Sequence, residues 1–162
     1  MIKKIEVERF SVISAKPFDE VVAGISAAVG HPDMTEFWKS TKQARSLSEL
    51  EEIINKITGS SGLMQFEQLN HGAIIQADTG RTTRMHRLLI GNPLIMKEMA
   101  KRVPDAGSYA PVTVLVDERP DGVHLSYDRM MSFLAPYGDA DALTIARDLD
   151  KKVEKLLADA AA

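Results

Sequence analysis

The alternation of apolar and polar positions opens the chain with a strand over residues 2–14. Ile5 and Val7 alternate with Lys4, Glu6 and Glu8, and the phase then shifts at Arg9-Phe10, so that Phe10 and Val12 become the apolar pair. That shift predicts a bulge. Pro17 suits the first turn of a helix, in which Phe18, Val21, Val22, Ile25 and Val29 recur at helical spacing until Gly30. Residues 31–60 predict a helical hairpin. Asp33 caps a short helix bearing Met34, Phe37 and Trp38. Ser46 with Glu49 forms a capping box ahead of Leu50, Ile53, Ile54 and Ile57.

From Leu63 to Ile90 the pattern turns to strands. Leu63–Leu69 and Ala73–Ala77 flank Asn70-His71-Gly72, which reads as a hairpin turn, and Thr83–Ile90 follows as a further strand. Gly91-Asn92-Pro93 breaks that strand and opens a helix carrying Leu94, Ile95, Met96 and Met99. Val112–Val116 and Val123–Tyr127 form the clearest hairpin. Val112, Val114, Val116, Val123, Leu125 and Tyr127 supply its apolar face, and Thr113, His124 and Ser126 its polar one. One wet face predicts an antiparallel sheet covered on one side only. Met130–Leu134 reads as a short helical turn. Asp139 or Asp141 caps a last helix with a buried stripe through Leu143, Ile145, Leu149, Val153, Leu156 and Leu157; Asp148, Asp150, Lys151, Lys152 and Lys155 are assigned to its wet side. Strands and helices mix without strict alternation. The expected fold class is therefore α+β: a two-layer sandwich with a largely antiparallel or mixed sheet and helices mainly on one face.

The 162 residues fit one domain, 1–162, long enough to bury a core without disulfides or a structural metal. With 44% hydrophobic and 27% charged residues, the composition is that of a globular chain. A net charge of −3 and the absence of a long Lys/Arg run argue against a nucleic-acid partner. No cysteine is present, which removes disulfides, thiolate nucleophiles and Cys-based metal sites. Charges interrupt the N-terminal run, and no stretch approaches the ~20 apolar residues of a membrane helix. The expected location is the cytoplasm, with no membrane partner.

Leu89-Ile90-Gly91-Asn92-Pro93, Ala110–Val116 and Asp121–Asp128, followed by the closing helix, are similar in order and spacing to domain of unknown function family 302; Ser14–Val29 fits more loosely. The resemblance implies a compact two-layer fold, often self-associating, and no established reaction. That family's pattern passes from the first helix almost directly into the next strand, so residues 33–58 read as a helical insertion.

Among candidate chemical groups, Arg81, Arg84, His86 and Arg87 form a basic cluster. On a strand, Arg84 and His86 share one face and Arg87 takes the other. Two cations on one face suit a carboxylate or phosphate; the plain alternative is a solvated face paired with acids. Asn92 follows a glycine at a helix start, a place that favours anions, though capping alone explains it. Tyr109 and Tyr127 offer hydroxyls to a ligand or, equally, cover the edge of the core. His31 and His71 are expected to be exposed, and none of the four histidines has the spacing of a metal pair. No cofactor or metal is expected, with a haem or metal ligand role for His86 a remote variant. Met34, Phe37 and Trp38 make a core face or, failing that, an interface centred on Phe37 and Trp38, with the lining of a ligand pocket as a third reading.

These features favour a homodimeric binding protein for a small anionic ligand, using Arg81, Arg84, His86, Asn92 and Tyr109. The rivals are an enzyme with His86 or a tyrosine as acid or base in the same cleft, and an interaction module docking through the Trp38 helix.

Overall fold

Val112, Val114 and Val116, with Val123, Leu125 and Tyr127 opposite, lie at the centre of a five-stranded antiparallel sheet in the computed structural model, which describes residues 2–162. The strands are β1 (Arg9–Ser14), β2 (Met64–Asn70), β3 (Met85–Gly91), β4 (Val112–Arg119) and β5 (Gly122–Asp128), in the spatial order β1-β5-β4-β3-β2. The helices are α1 (Phe18–Ala28), α2 (Met34–Gln43), α3 (Leu47–Ile57), α4 (His71–Thr79), α5 (Pro93–Ala100), α6 (Met130–Leu134) and α7 (Ala140–Ala161). The α+β class and the antiparallel sheet agree with the sequence pattern. None of these helices is long and apolar enough to cross a membrane.

Strand alternation sorts the side chains. Leu88, Ile90, Val114, Leu125 and Tyr127 are buried against α1, α5 and α7 in the main hydrophobic core. Arg87, Leu89, Thr113, Leu115, Ser126 and Asp128 take the intervening positions and point to the opposite, open face. A second, smaller core joins Phe37 of α2, Ile54 of α3 and Met64 of β2, with Met34, Leu50 and Phe66 packed on it. There Gly30 lets two segments meet, because a Cβ on it would lie 1.6 Å from the Ile57 carbonyl oxygen.

The caps read from the sequence form as expected. Asp33, Ser46, Asn92 and Asp139 each accept an N–H two or three residues on, from Glu36, Glu49, Leu94 and Ala142. Glu49 completes its box by accepting from the Arg45 N–H, one residue before the cap.

Four expectations are corrected. Ala73–Ala77 is not a strand but the middle of α4: Asn70 caps its start, and Gly80, at φ 67°, ends it. The first strand begins at Arg9, since its partner β5 ends at Asp128 and α6 follows almost at once; residues 2–8 have no strand to pair with, and the phase shift marks a strand end rather than a bulge. Asp150 is fully buried, because its spacing from Ala146, Val153 and Leu157 puts it in the apolar stripe of α7. His71 is half-buried beside the open sheet face.

Candidate functional site

The structure divides the sequence-derived ligand residues among different places. Arg84 and His86 do lie together, against α1 on the helix-covered side. The Arg84 guanidinium pairs with Asp19 in the first turn of that helix and lies 5.0 Å over the Phe18 ring. His86 meets the same ring edge-on at 5.0 Å, and its Nδ1 lies 3.1 Å from the Gln68 amide nitrogen. Burial and the neighbouring Arg84 push the His86 pKa below its ordinary value. Arg81 is exposed in the turn after α4. Asn92 has both amide ends engaged, donating to the Gly62 carbonyl and accepting from the Leu94 N–H. Tyr109 is apart from all of these and lines a groove at one end of the open sheet face, while Tyr127 is buried on the covered side.

That groove consists of two adjoining cavities of about 470 and 230 Å³, both lined by Arg87, Thr113 and Asp128. The stacked rings of Tyr109 and Phe133, 4.7 Å apart and 13° from parallel, wall one end, and His71 of α4 lines the other. The Tyr109 hydroxyl shares a hydrogen bond with Tyr137 at 3.2 Å, and this bond, with Asp105, raises the Tyr137 pKa above the ordinary phenol value.

The charges on the floor differ in their partners. Arg9 holds Asp128 in a two-pronged pair at 2.6 and 2.9 Å, so these two cancel. Arg87 donates to the Thr113 hydroxyl at 3.1 Å, and among the described residues no carboxylate forms an ion pair with it. The groove therefore carries one uncompensated guanidinium on a sheet floor. Such an arrangement can hold a carboxylate or phosphate. Among the described residues, no group of three or more His, Asp or Glu side chains could hold a metal.

Trp38 and Phe37 also part company. Phe37 is buried in the second core, whereas Trp38 is 51% exposed. Trp38 borders an apolar pocket of about 170 Å³ with Phe66, Gly91, Pro93, Met96 and Leu149. A third cleft, of about 450 Å³ between α1 and α7, has Lys16, Lys152 and Lys155 at its rim. Lys152 and Lys155 are solvated, and Lys155 is already paired with Asp159.

The contribution of Arg87 was half legible. Alternation places it opposite Arg84 and His86, but only tertiary contacts show that Asp19 neutralises Arg84 while Arg87 has no acid. Arg9, Thr113 and Phe133 have no signal in the sequence beyond strand or helix position.

Residues 38–160 match the family described as "Domain of unknown function DUF302", a stretch that begins inside α2 and leaves out β1 and α1. The chain is similar to the crystal structure of an uncharacterized conserved protein DUF302 from Bacillus stearothermophilus, with a TM-score of 0.66 and 15% identity over 94% of this chain and 97% of that one. At that identity the likeness concerns the fold alone. No curated protein gives a significant match.

Proposed function

This chain belongs to the DUF302 family, whose description carries no activity, and from that premise we propose that it is a binding protein for a small molecule with a carboxylate or phosphate, held in the open-face groove by Arg87. The observation that supports this reading is the state of the cations. Arg84 and Arg9 are each engaged by an aspartate, and Arg87, between the two cavities, is not. An anion arriving there gains a charge-assisted hydrogen bond without displacing a resident carboxylate. Thr113 and Tyr109 add hydroxyls, and the Tyr109–Phe133 stack supplies an apolar wall. Self-association belongs to the same reading, supported by Ile13, an apolar side chain 52% exposed on the open face.

Calorimetric titration with butyrate and with inorganic phosphate tests the site. Hydrogen bonds to charged groups contribute about 1.5–3 kcal/mol, so Arg87→Gln should weaken butyrate or phosphate at least about tenfold. Arg84→Gln should leave binding unchanged. Binding that survives Arg87→Gln, or that follows Arg84 instead, removes the reading. Native mass spectrometry of the same samples reads self-association; a monomer at micromolar concentration removes that part.

A further inference from the structure

The groove and the Trp38 pocket are neighbours: Ala110, Pro111 and Val112 line both the larger groove cavity and the apolar pocket. Along β3, Arg87, Leu89 and Gly91 occupy successive positions on the open face. The row runs from a cation, past a leucine, to a residue with no side chain at the border of the pocket. At ~3.4 Å per strand residue it spans ~14 Å, the length of a medium-chain fatty acid.

The two ends differ in chemistry. The Arg87 end has a free guanidinium and hydroxyls. None of the pocket's lining side chains is charged, and the Asn92 amide already donates to Gly62 and accepts from Leu94. A charged group entering that pocket would lose its water without finding a charged partner. An apolar one fits, since an apolar cavity of ~150 Å³ accepts benzene and this pocket measures about 170 Å³. The geometry points to an amphiphilic anion as the ligand class, with its headgroup on Arg87 and an apolar tail passing Pro111 into the pocket beneath Trp38. This rests on the groove reading above and adds the tail, its direction and its destination.

Trp38 is the chain's single tryptophan, so the tryptophan emission comes from the border of the pocket. The test is calorimetry with butyrate, hexanoate, octanoate and decanoate, each below its micelle concentration, and with decanol, while Trp38 fluorescence is followed. Each methylene that enters the pocket should raise affinity about fourfold. Decanoate should shift the Trp38 emission and butyrate should not. Arg87→Gln should weaken decanoate at least tenfold. Gly91→Ala should weaken decanoate several-fold and spare butyrate; the added methyl would meet Pro111 at 3.5 Å and Phe66 at 3.7 Å, ordinary contacts that the fold tolerates. Ala110→Leu, at the junction, should act in the same direction.

If butyrate binds through Arg87 but affinity is flat along the series and Trp38 is silent, the amphiphile is overturned and the groove reading stands. If decanoate and decanol bind alike and Arg87→Gln changes neither, the headgroup assignment is overturned, and the groove reading with it. If no anion binds, both are lost.

Discussion

Asp150 stands in a run of polar residues, yet the fold buries it completely. One carboxylate oxygen accepts from the Tyr127 hydroxyl at 2.6 Å and from the Met130 N–H at 2.7 Å. The other accepts from the Met131 N–H at 3.1 Å. The side chain thus ties α7 to the end of β5 and supplies acceptors for the first amides of α6, which has no side-chain cap of its own. Burial and the adjacent carboxylate drive the Tyr127 pKa up, so that hydroxyl keeps its proton and donates. Asp150→Ala leaves two buried donors and a partly buried one without this acceptor, and urea denaturation should show a loss of about 3 kcal/mol or more. Asp150→Asn keeps one carbonyl acceptor and should lose clearly less; equal losses would argue that packing, not hydrogen bonding, sets the cost. His86 gives a pH dependence at the same scale. Its folded pKa lies below the unfolded value of about 6.5, so between the two the unfolded chain binds more protons. Its contribution is therefore complete above about 6.5 and is lost as the pH falls towards the folded pKa. Between pH 7.5 and 5.5 the native protein should lose more stability than His86→Gln does; identical losses would place the effect elsewhere.

Among the elements, α4 departs from the strand that the sequence pattern predicts, and the reason is local. Ala73-Ile74-Ile75 is short and apolar, and such runs suit a strand or a helix equally. Asn70 and Gly80 decide the matter as caps, and Gly72 secures the helix to the chain before β3. A Cβ on Gly72 would lie 2.1 Å from the Thr83 carbonyl oxygen and 2.8 Å from the Met85 nitrogen. Gly72→Ala should therefore cost about 1–3 kcal/mol, since backbone rather than a flexible side chain must give way. Thermal melting checks this. An unchanged midpoint would mean that α4 shifts freely on the sheet. Because His71 of this helix lines the groove, the same variant should also alter butyrate binding if the groove is the site.

The whole molecule has two unequal cores. The main one spans the sheet with α1, α5 and α7; the smaller one seats α2 and α3 on the end of β2. Phe37, 4% exposed, anchors the smaller core through edge-to-face contacts with Trp38 and Phe66, at centroid distances of 4.7 and 6.3 Å. Phe37→Ala should cost about 3–5 kcal/mol locally. Hydrogen exchange should quicken first in α2 and α3, while β3, β4 and β5 remain protected. Uniform quickening would show that the two cores unfold as one. The Trp38 pocket lies between these cores, so the same change should disturb it more than the Arg87 end of the groove.

The chain's local pattern determined the α+β class, the β4–β5 hairpin, the four side-chain caps at Asp33, Ser46, Asn92 and Asp139, and the one-sided covering of the sheet. Those features follow from periodicity and from contacts within a few residues, which the order of residues contains. Alternation also placed Arg84 and His86 on one face and Arg87 on the other. Tertiary structure alone decided what each charge is worth. Asp19 lies 65 residues from Arg84 and Asp128 lies 119 from Arg9, and no local rule pairs them. The same holds for Asp150, whose partners Tyr127 and Met130 come from two other elements, and for Trp38, which borders Gly91 and Pro111 only when the helical hairpin docks. Strand and helix are chosen by neighbours in sequence. Which polar group is satisfied, and which remains free to bind, is chosen by neighbours in space.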